Sequence, residues 1–304
     1  MNQKELKKIL ESKEIFKDIN KWKLKLVPHG GVSPHTYFIS KDIKKYFVKE
    51  IKENEKVILL ALTKLKLGLI PKVVYSDLLQ KGVLVQEYIS GNHLKNKKSI
   101  EVQLIKKFAK FQNSFNDKNV KKKLNKFSKC ESTDKDDGFF KGEISFNFNY
   151  DKDLLNLKKY KLQIVNDYIS ILDYLRKDKK RIIDEFSTMP FARQHHDFKE
   201  DNIVGKPQRL VDWGSSYGHG PFLFDLAPFL VDNKKAFTEF VKNSNICKKY
   251  NKEQIERWLY VSLSARFLEL LRYRLEIGVN FRNKAECEMF LEYEYKTYKS
   301  LKEK

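Results

Sequence analysis

The chain has 304 residues, of which 41% are hydrophobic and 13% aromatic, a composition that supports a globular fold and excludes wholesale disorder. Three widely spaced cysteines, Cys130, Cys247 and Cys287, fit neither a disulfide framework nor a zinc site, so we interpret them as reduced thiols. The N-terminus has no apolar segment typical of a signal peptide, and no later stretch predicts a membrane span. We therefore expect a cytoplasmic protein that does not associate with membranes.

The net charge of +21 raises the question of a nucleic-acid partner. The basic residues are 52 lysines and 9 arginines, and they are scattered along most of the chain. Arginine, the residue that binds phosphate with two parallel hydrogen bonds, is therefore scarce. We expect non-specific attraction of polyanions at low salt but no specific nucleic-acid partner.

From residue 21 to about Gly91 the pattern predicts strands around one helix. The runs "KWKLKLVPHGG", "HTYFIS" and "KKYFVKE" predict three strands, with a hairpin turn at Lys41 and Asp42. The run "NEKVILLALTKLKLG" predicts a helix that ends at Gly68. The following "KVVYSDLLQKGVLVQEYISG" predicts two more strands, joined by a turn near residues 80–82.

After Gly91 the pattern changes to that of helices. Apolar residues recur every three to four positions in residues 100–115, 151–185 and 251–277. The least regular segment, residues 116–150, joins a lysine-rich run to an acidic loop. The chain therefore predicts an α+β fold with two lobes, a small antiparallel β-sheet lobe with one helix (1–91) and a larger, mainly helical lobe (92–304).

The stretch "HHDFKEDN" at residues 195–202 crowds ionisable and amide side chains into a short loop. Asp197 and Asn202 are five positions apart, and Asp212 lies fifteen beyond Asp197 in "RLVDW". In phosphoryl transfer, one carboxylate lies near the acceptor hydroxyl, while an amide oxygen and a second carboxylate hold Mg²⁺ on the nucleotide phosphates. The apolar runs "NIVG" and "RLVDW" predict a hairpin that returns Asp212 to the other two side chains.

Other parts of a phosphate site occur upstream in a compatible order. Lys49 lies at the end of the third predicted strand, where an ammonium can reach the α and β phosphates. Glu55 in the following helix is the favoured partner for Lys49, with Glu53 as the alternative. Small residues, Gly30, Gly31 and Ser33, lie between the first two strands, where they let backbone amides approach phosphate oxygens.

The ordered set "GGVS", "FVKE", "VLVQEYISG", "HxDxxxxN" and "VDW" makes the sequence similar to the aminoglycoside phosphotransferase and choline kinase superfamily, over roughly residues 21–275. That superfamily shares its architecture with protein kinases. The resemblance implies that Asp197 is the catalytic base or orients the acceptor hydroxyl. It also implies that Asn202 and Asp212 bind Mg²⁺, and that Lys49, paired with Glu55, holds the phosphates.

The resemblance assigns supporting roles to further residues. The backbone of Gln86, Glu87 and Tyr88 would form the hinge that receives the adenine. His195 would brace the catalytic loop, and Asp225 in "FLFDLA" would anchor that loop from the next helix.

A protein kinase is the nearest alternative, because "HHDFKEDNIV" and "DWG" also resemble "HRDLKPENIL" and "DFG". Lys199 lies where a Ser/Thr kinase has its phosphate-contacting lysine. However, only twelve residues separate Asp212 from Asp225, too few for an activation segment. The 103 residues between Gly91 and His195 are also more than a protein kinase usually has there. We therefore favour a small-molecule acceptor.

The sequence departs from the superfamily pattern at three places. His196 replaces the glycine of the usual "HGD", and we favour a packed or solvated ring over a direct catalytic role. Pro34 lies near the position of an asparagine in many relatives. The "DWG" motif matches only a subset of relatives, many of which have a glutamate just after the tryptophan.

The expected activity is direct in-line transfer of the γ-phosphoryl group of ATP or GTP to a hydroxyl of a small molecule, with Mg²⁺ and without a covalent phospho-enzyme. The expected partners are the nucleotide and this acceptor, and the expected state is a monomer or weak dimer. The alternatives are a choline, ethanolamine or sugar kinase of the same superfamily, an atypical protein kinase, and a non-catalytic pseudokinase.

Overall fold

The chain folds into two compact units in the computed structural model. The first unit combines Met1–Lys95 with Asp197–Tyr217, and the second combines Asn96–His196 with Gly218–Lys304. The structure describes residues 3–13, 16–27, 36–51, 53–77, 83–115, 154–155, 157–158, 165–216, 219–278 and 284–301. The division of function between residues 1–91 and 92–304 stays a prediction.

An antiparallel five-stranded sheet forms the body of the first unit. Its strands are β1 (Lys23–Leu26), β2 (Thr36–Lys41), β3 (Lys44–Glu50), β4 (Val73–Asp77) and β5 (Val83–Glu87). They lie in the order β1, β2, β3, β5, β4, so β5 is hydrogen-bonded on both sides. The β2–β3 hairpin closes on the pair Lys41 and Lys44, and Asp42 in its turn has a left-handed backbone with φ of 53°. Aspartate tolerates this conformation, which explains the turn predicted there.

A hydrophobic core lies between this sheet and the N-terminal helix α1 (Gln3–Glu11). The helix contributes Leu6 and Leu10, both fully buried, because leucines four positions apart share one face. The aromatic rings of Phe16 and Trp22 extend the core, and their centroids are 5.3 Å apart in an edge-to-face contact. Strand residues complete it: Tyr37, Ile39, Val48, Val83 and Val85.

The helix between β3 and β4, α2 (Glu53–Leu65), ends three residues earlier than Gly68 predicts. Lys66 already has a left-handed backbone, with φ of 50°, and Gly68 follows with φ of 60°. The left-handed conformation stops the helix, and here a lysine adopts it before the glycine does. The difference does not affect Lys49 or Glu55, which lie on β3 and in the first turn of α2.

A short hairpin of β7 (Ile203–Val204) and β8 (Arg209–Leu210) belongs to the first unit and follows the "HHDFKEDN" loop. It is fastened to the segment after β5, because the Leu94 N–H donates to the Ile203 carbonyl at 2.9 Å. Gly205, with φ of 76°, lies so close to this segment that an added Cβ would be 2.1 Å from the Ile89 side chain. Glycine is therefore required at this crossing for both its space and its backbone conformation.

The second unit is mainly helical. Its helices are α3 (Val102–Phe115), α4 (Val165–Lys177), α5 (Lys179–Thr188), α6 (Ala227–Leu230), α7 (Lys234–Asn243), α8 (Lys252–Gly278) and α9 (Lys284–Tyr298). Strands β6 (Phe191–Arg193) and β9 (His219–Pro221) pair in antiparallel fashion next to them. The Gln112 amide of α3 donates to the Phe222 carbonyl at 2.9 Å, so a buried polar group ties this pair to the helices. The predicted α+β fold is confirmed.

None of the helices within the described residues has the length and apolar character needed to cross a membrane. Helix α8 (Lys252–Gly278) matches the periodic range 251–277 to within one residue at each end, and it buries Ile255, Trp258, Leu263 and Phe267. Its spacing of three to four residues between apolar positions produces this buried face.

Candidate active site

Lys49 and Glu55 form an ion pair in the first unit. The β3 strand brings the lysine to the start of α2, where the Glu55 side chain is only 6% exposed. Burial raises the pKa of Glu55, while the Lys49 ammonium and the Trp213 backbone N–H oppose that rise. The pair therefore holds the Lys49 ammonium in place with a buried carboxylate behind it.

Asp212 lies on the other side of the same ammonium, with its Oδ1 3.6 Å from Lys49 Nζ. Its backbone is left-handed, with φ of 58°, and its side chain is 58% exposed. The next residue, Trp213, is buried and donates its indole N–H to the Leu210 carbonyl at 3.1 Å. The buried indole therefore fixes the turn that presents the Asp212 carboxylate to solvent.

Asp197 and Asn202 are joined directly. The Asn202 Nδ2 donates to the Asp197 Oδ2 at 2.9 Å and to the Asp197 carbonyl at 2.8 Å. The Lys199 ammonium lies 2.9 Å from the same Oδ2. The Asp197 carboxylate is thus oriented by an amide and a cation while 29% of its side chain remains exposed.

The two halves of the predicted metal site are linked through the backbone of the hairpin. The Val211 N–H donates to the Asn202 carbonyl at 2.9 Å, so the residue before Asp212 is fastened to the end of the loop. The first compact unit therefore contains all five of the residues predicted for phosphoryl transfer: Lys49, Glu55, Asp197, Asn202 and Asp212. The predicted phosphate loop with Gly30, Gly31 and Ser33 lies outside the described residues.

The predicted hinge residues, Gln86, Glu87 and Tyr88, lie at the end of β5 and just after it. The Glu87 N–H donates to the Lys72 carbonyl at 2.9 Å, and the Tyr88 N–H donates to the Lys45 carbonyl at 3.0 Å. Both donors are therefore used within the sheet. A nucleobase at this hinge would have as hydrogen-bonding partners the carbonyl groups of these residues or the N–H groups of residues after Tyr88.

In the second unit, a buried carboxylate holds the backbone that precedes Asp197. Asp225 accepts hydrogen bonds from the N–H groups of His195 and His196. The sequence predicts Asp225 within the next helix. In the structure it lies in the turn just before α6. His195 is fully buried, and His196 has a left-handed backbone with φ of 66°. Glycine, which the resemblance leads one to expect at position 196, adopts this conformation without strain.

Arg266 and Glu269 on α8 are the residues that sequence analysis missed. The Arg266 side chain is 6% exposed, pairs with Glu269 and donates to the His196 carbonyl at 3.5 Å. Burial raises the pKa of Asp225 to about 6, and the charge of Arg266 opposes this rise. The only signal in the sequence was an arginine within the apolar run "VSLSARFLELL", which periodicity alone does not interpret.

The donor set at Asn202 and Asp212 fits Mg²⁺. Mg²⁺ prefers oxygen ligands, and it commonly takes one or two protein side chains together with substrate phosphates and waters. Because Asn202 Nδ2 donates to Asp197, its amide oxygen is the atom available to a cation. Across the described part of the chain, no three His, Cys, Asp or Glu side chains group as they would in a metal site built by the protein alone.

A family model described as the phosphotransferase enzyme family matches residues 25–256. No curated protein sequence matches the chain.

Several solved structures share the fold. Choline kinase from Cryptosporidium parvum aligns with a TM-score of 0.57 and 11% identity, covering 99% of this chain and 96% of that chain. Spectinomycin phosphotransferase in complex with ADP and spectinomycin aligns with a TM-score of 0.55 and 12% identity, covering 97% and 95%. Choline kinase from Streptococcus pneumoniae aligns with a TM-score of 0.50 and 17% identity, covering 99% and 100%. Because the family model spans most of the sequence and the fold agrees over nearly its full length, the chain belongs to the phosphotransferase enzyme family.

Proposed function

We propose that this protein is a small-molecule kinase that transfers the γ-phosphoryl group of ATP or GTP to a hydroxyl group. One observation carries the proposal: a lysine held between two carboxylates, Glu55 and Asp212, occurs in the same unit as the hydrogen-bonded pair Asp197 and Asn202. Phosphoryl transfer needs a cation for the phosphates, a carboxylate for the acceptor hydroxyl and oxygen ligands for a metal. This set of residues supplies each of them.

The mechanism assigns one task to each side chain. Lys49, held by Glu55, donates to oxygens of the α and β phosphates. Asp197 orients the acceptor hydroxyl and takes its proton, with the carboxylate held by Asn202 and Lys199. The acceptor oxygen forms a bond to the γ-phosphorus as the bond from that phosphorus to the β–γ bridging oxygen breaks, and the nucleoside diphosphate leaves with the bridging oxygen. Mg²⁺ bound by Asn202 and Asp212 would neutralise charge on the phosphate oxygens.

A small acceptor is supported by the short connection after Asp212. Twelve residues separate Asp212 from Asp225, which leaves too little chain for the activation segment of a protein kinase. Structures with the same fold include kinases of choline and ethanolamine and phosphotransferases of spectinomycin and macrolides. These compounds define the first acceptors to test.

The test measures nucleotide consumption by the purified protein with Mg²⁺, ATP or GTP, and a panel of choline, ethanolamine, spectinomycin, a macrolide and simple sugars. We expect acceptor-stimulated turnover that Asp197→Asn reduces at least 10³-fold, on the order of the loss of a catalytic general base, with nucleotide affinity unchanged. The matched control is Asp201→Asn, an exposed aspartate of the same loop, which should keep turnover within about twofold.

Two results would contradict the proposal. Nucleotide binding without turnover for any acceptor in the panel, also unaffected by Asp197→Asn, would favour a pseudokinase. Phosphate trapped on His195 or His196 during turnover would exclude direct transfer.

A further inference from the structure

The second unit contains a charged group that the proposed reaction does not use directly. Arg266 lies in the middle of α8, where its neighbours along the helix are buried apolar residues such as Leu263 and Phe267. A buried guanidinium is costly unless it is paired and hydrogen-bonded. Its contacts therefore indicate what the structure gains by keeping it there.

The contacts of Arg266 converge on the backbone before the catalytic loop. Its Nη1 donates to the His196 carbonyl at 3.5 Å and pairs with Glu269 one turn along the helix. The guanidinium also lies over the Phe224 ring, 5.3 Å from its centroid. Phe224 directly precedes Asp225 in the chain, so Arg266 packs against the turn that carries the buried carboxylate.

Asp225 contacts the same backbone segment as Arg266 but carries the opposite charge. Its carboxylate accepts the N–H groups of His195 and His196, while Arg266 binds the carbonyl of His196. Both polar groups of the His196 peptide backbone are thus held, one by an anion and one by a cation. This residue needs such support, because its left-handed backbone is unfavourable for a side chain larger than glycine.

We propose that Arg266 is a positioning residue that, together with Asp225, holds the His195 and His196 backbone in the conformation from which Asp197 follows. The inference deepens the proposed kinase function and rests on it for its consequence in catalysis. Arg266 acts through Asp225 and the His196 carbonyl rather than on the substrate.

Two charged side chains near Asp225 shift its pKa in opposite directions, and this difference allows the proposal to be tested. The Arg266 charge lowers the pKa of Asp225, and the Glu269 charge raises it. Loss of Arg266 should therefore protonate Asp225 at a higher pH, and loss of Glu269 should protonate it at a lower pH. The side chains of His195 and His196 are the same in both variants. Tyr298 faces Arg266 and Glu269 as well, and burial raises its pKa far above this range.

The experiment measures amide hydrogen exchange of the His195 and His196 N–H groups in the full chain between pH 5 and 8, as protection relative to the unfolded rate. We expect Arg266→Met to lower protection at least tenfold at pH 6.5, Arg266→Lys to restore part of it, and Glu269→Gln to move the loss of protection to lower pH. The matched control is Arg257→Met, which removes another α8 arginine, paired with Glu185, and should leave the loop unchanged.

A second readout follows turnover with whichever acceptor the proposed panel identifies. The acid side of the kcat profile should move to higher pH in Arg266→Met and to lower pH in Glu269→Gln. Equal losses at every pH in both variants, or protection that does not change with either substitution, would overturn the proposal. If Arg266→Met does not fold, the direction of the Glu269→Gln shift decides the matter. Exchange needs no substrate, so an absence of kinase activity would overturn the proposed function without affecting this measurement.

Discussion

Glu55 in the first compact unit and Asp225 in the second are buried carboxylates that are stabilised by different partners. The Glu55 side chain is 6% exposed and faces the Lys49 ammonium, whereas Asp225 is fully buried and faces the N–H groups of His195 and His196. Burial raises the pKa of both, and a nearby cation opposes the rise in each case. The Glu55 charge therefore holds a side chain, the Lys49 ammonium, whereas the Asp225 charge holds backbone N–H groups.

The carboxylates predicted to meet ligands are more exposed than these two. The side chain of Asp197 is 29% exposed and that of Asp212 is 58% exposed. A group that must bind Mg²⁺ or a substrate hydroxyl has to remain accessible, and so it contributes little to folding. Substitutions of exposed and buried carboxylates should therefore separate effects on activity from effects on stability.

The largest separation is expected for Asp212→Asn. Asparagine tolerates the left-handed backbone at this position, so the free energy of unfolding should change by less than about 0.5 kcal/mol. Loss of the charge that we propose binds Mg²⁺ should lower kcat/KM about 10³-fold, or about 4 kcal/mol. Enzyme assays across Mg²⁺ concentrations and urea unfolding measure the two effects.

The matched control for Asp212→Asn is Asp42→Asn in the β2–β3 turn. Asp42 is also exposed and left-handed, with φ of 53°, and it belongs to the same unit. This control should leave both activity and stability unchanged. Similar activity losses in the two variants would show that the Asp212 charge has no special role.

Asp225→Asn should change how stability depends on pH. Because burial raises the folded-state pKa of Asp225 to about 6, its protonated form is favoured in the folded protein. Its contribution to stability is fully present below the ordinary pKa near 3.8 and is lost as the pH rises through 6. The advantage of wild type over Asp225→Asn should therefore fall by about 2 kcal/mol between pH 4.5 and 7.5.

Urea unfolding of both proteins at several pH values tests this expectation, since titration of all other groups cancels in the difference. Asp184→Asn, an exposed substitution in α5, is the control and should give a stability difference from wild type that is constant with pH. A constant difference for Asp225→Asn would mean that the aspartate titrates as it does in the unfolded chain.

Glu55→Gln is expected to have a smaller effect on activity than Asp212→Asn. Glutamine keeps the shape of the side chain and one hydrogen-bond acceptor for Lys49, but it removes the charge that positions the ammonium. We expect kcat/KM to fall about 30-fold, or about 2 kcal/mol, mainly because the KM for the nucleotide rises. Initial rates at varied ATP concentrations measure kcat/KM and KM. The control is Glu50→Gln, an exposed substitution at the end of β3. An unchanged KM would argue against the role of the pair in binding phosphate.

The sequence was sufficient to predict the sheet lobe, the order of its strands along the chain and the helical lobe, because period-two and period-3.6 patterns report burial directly. It was also sufficient to select the short motifs around Lys49, Asp197 and Asp212. It could not predict Arg266, because its contact with the His196 carbonyl joins residues 70 positions apart and leaves no local pattern. The sequence also could not predict that the Glu87 and Tyr88 N–H groups donate within the sheet, because their acceptors are known only once the pairing of the strands is known.

His196 offers the smallest expected effect and tests whether its backbone or its ring matters. His196→Gly keeps the N–H that donates to Asp225, and it removes the strain of a left-handed residue while adding flexibility to the unfolded chain. The relief of strain and the added flexibility of the unfolded chain nearly cancel, so the free energy of unfolding should change by less than about 1 kcal/mol. Activity should stay within about threefold, because the ring is given no chemical task. His196→Val should instead cost about 2 kcal/mol, since a β-branched residue fits this backbone poorly. If glycine abolished turnover without loss of stability, the imidazole would have a direct role in the reaction.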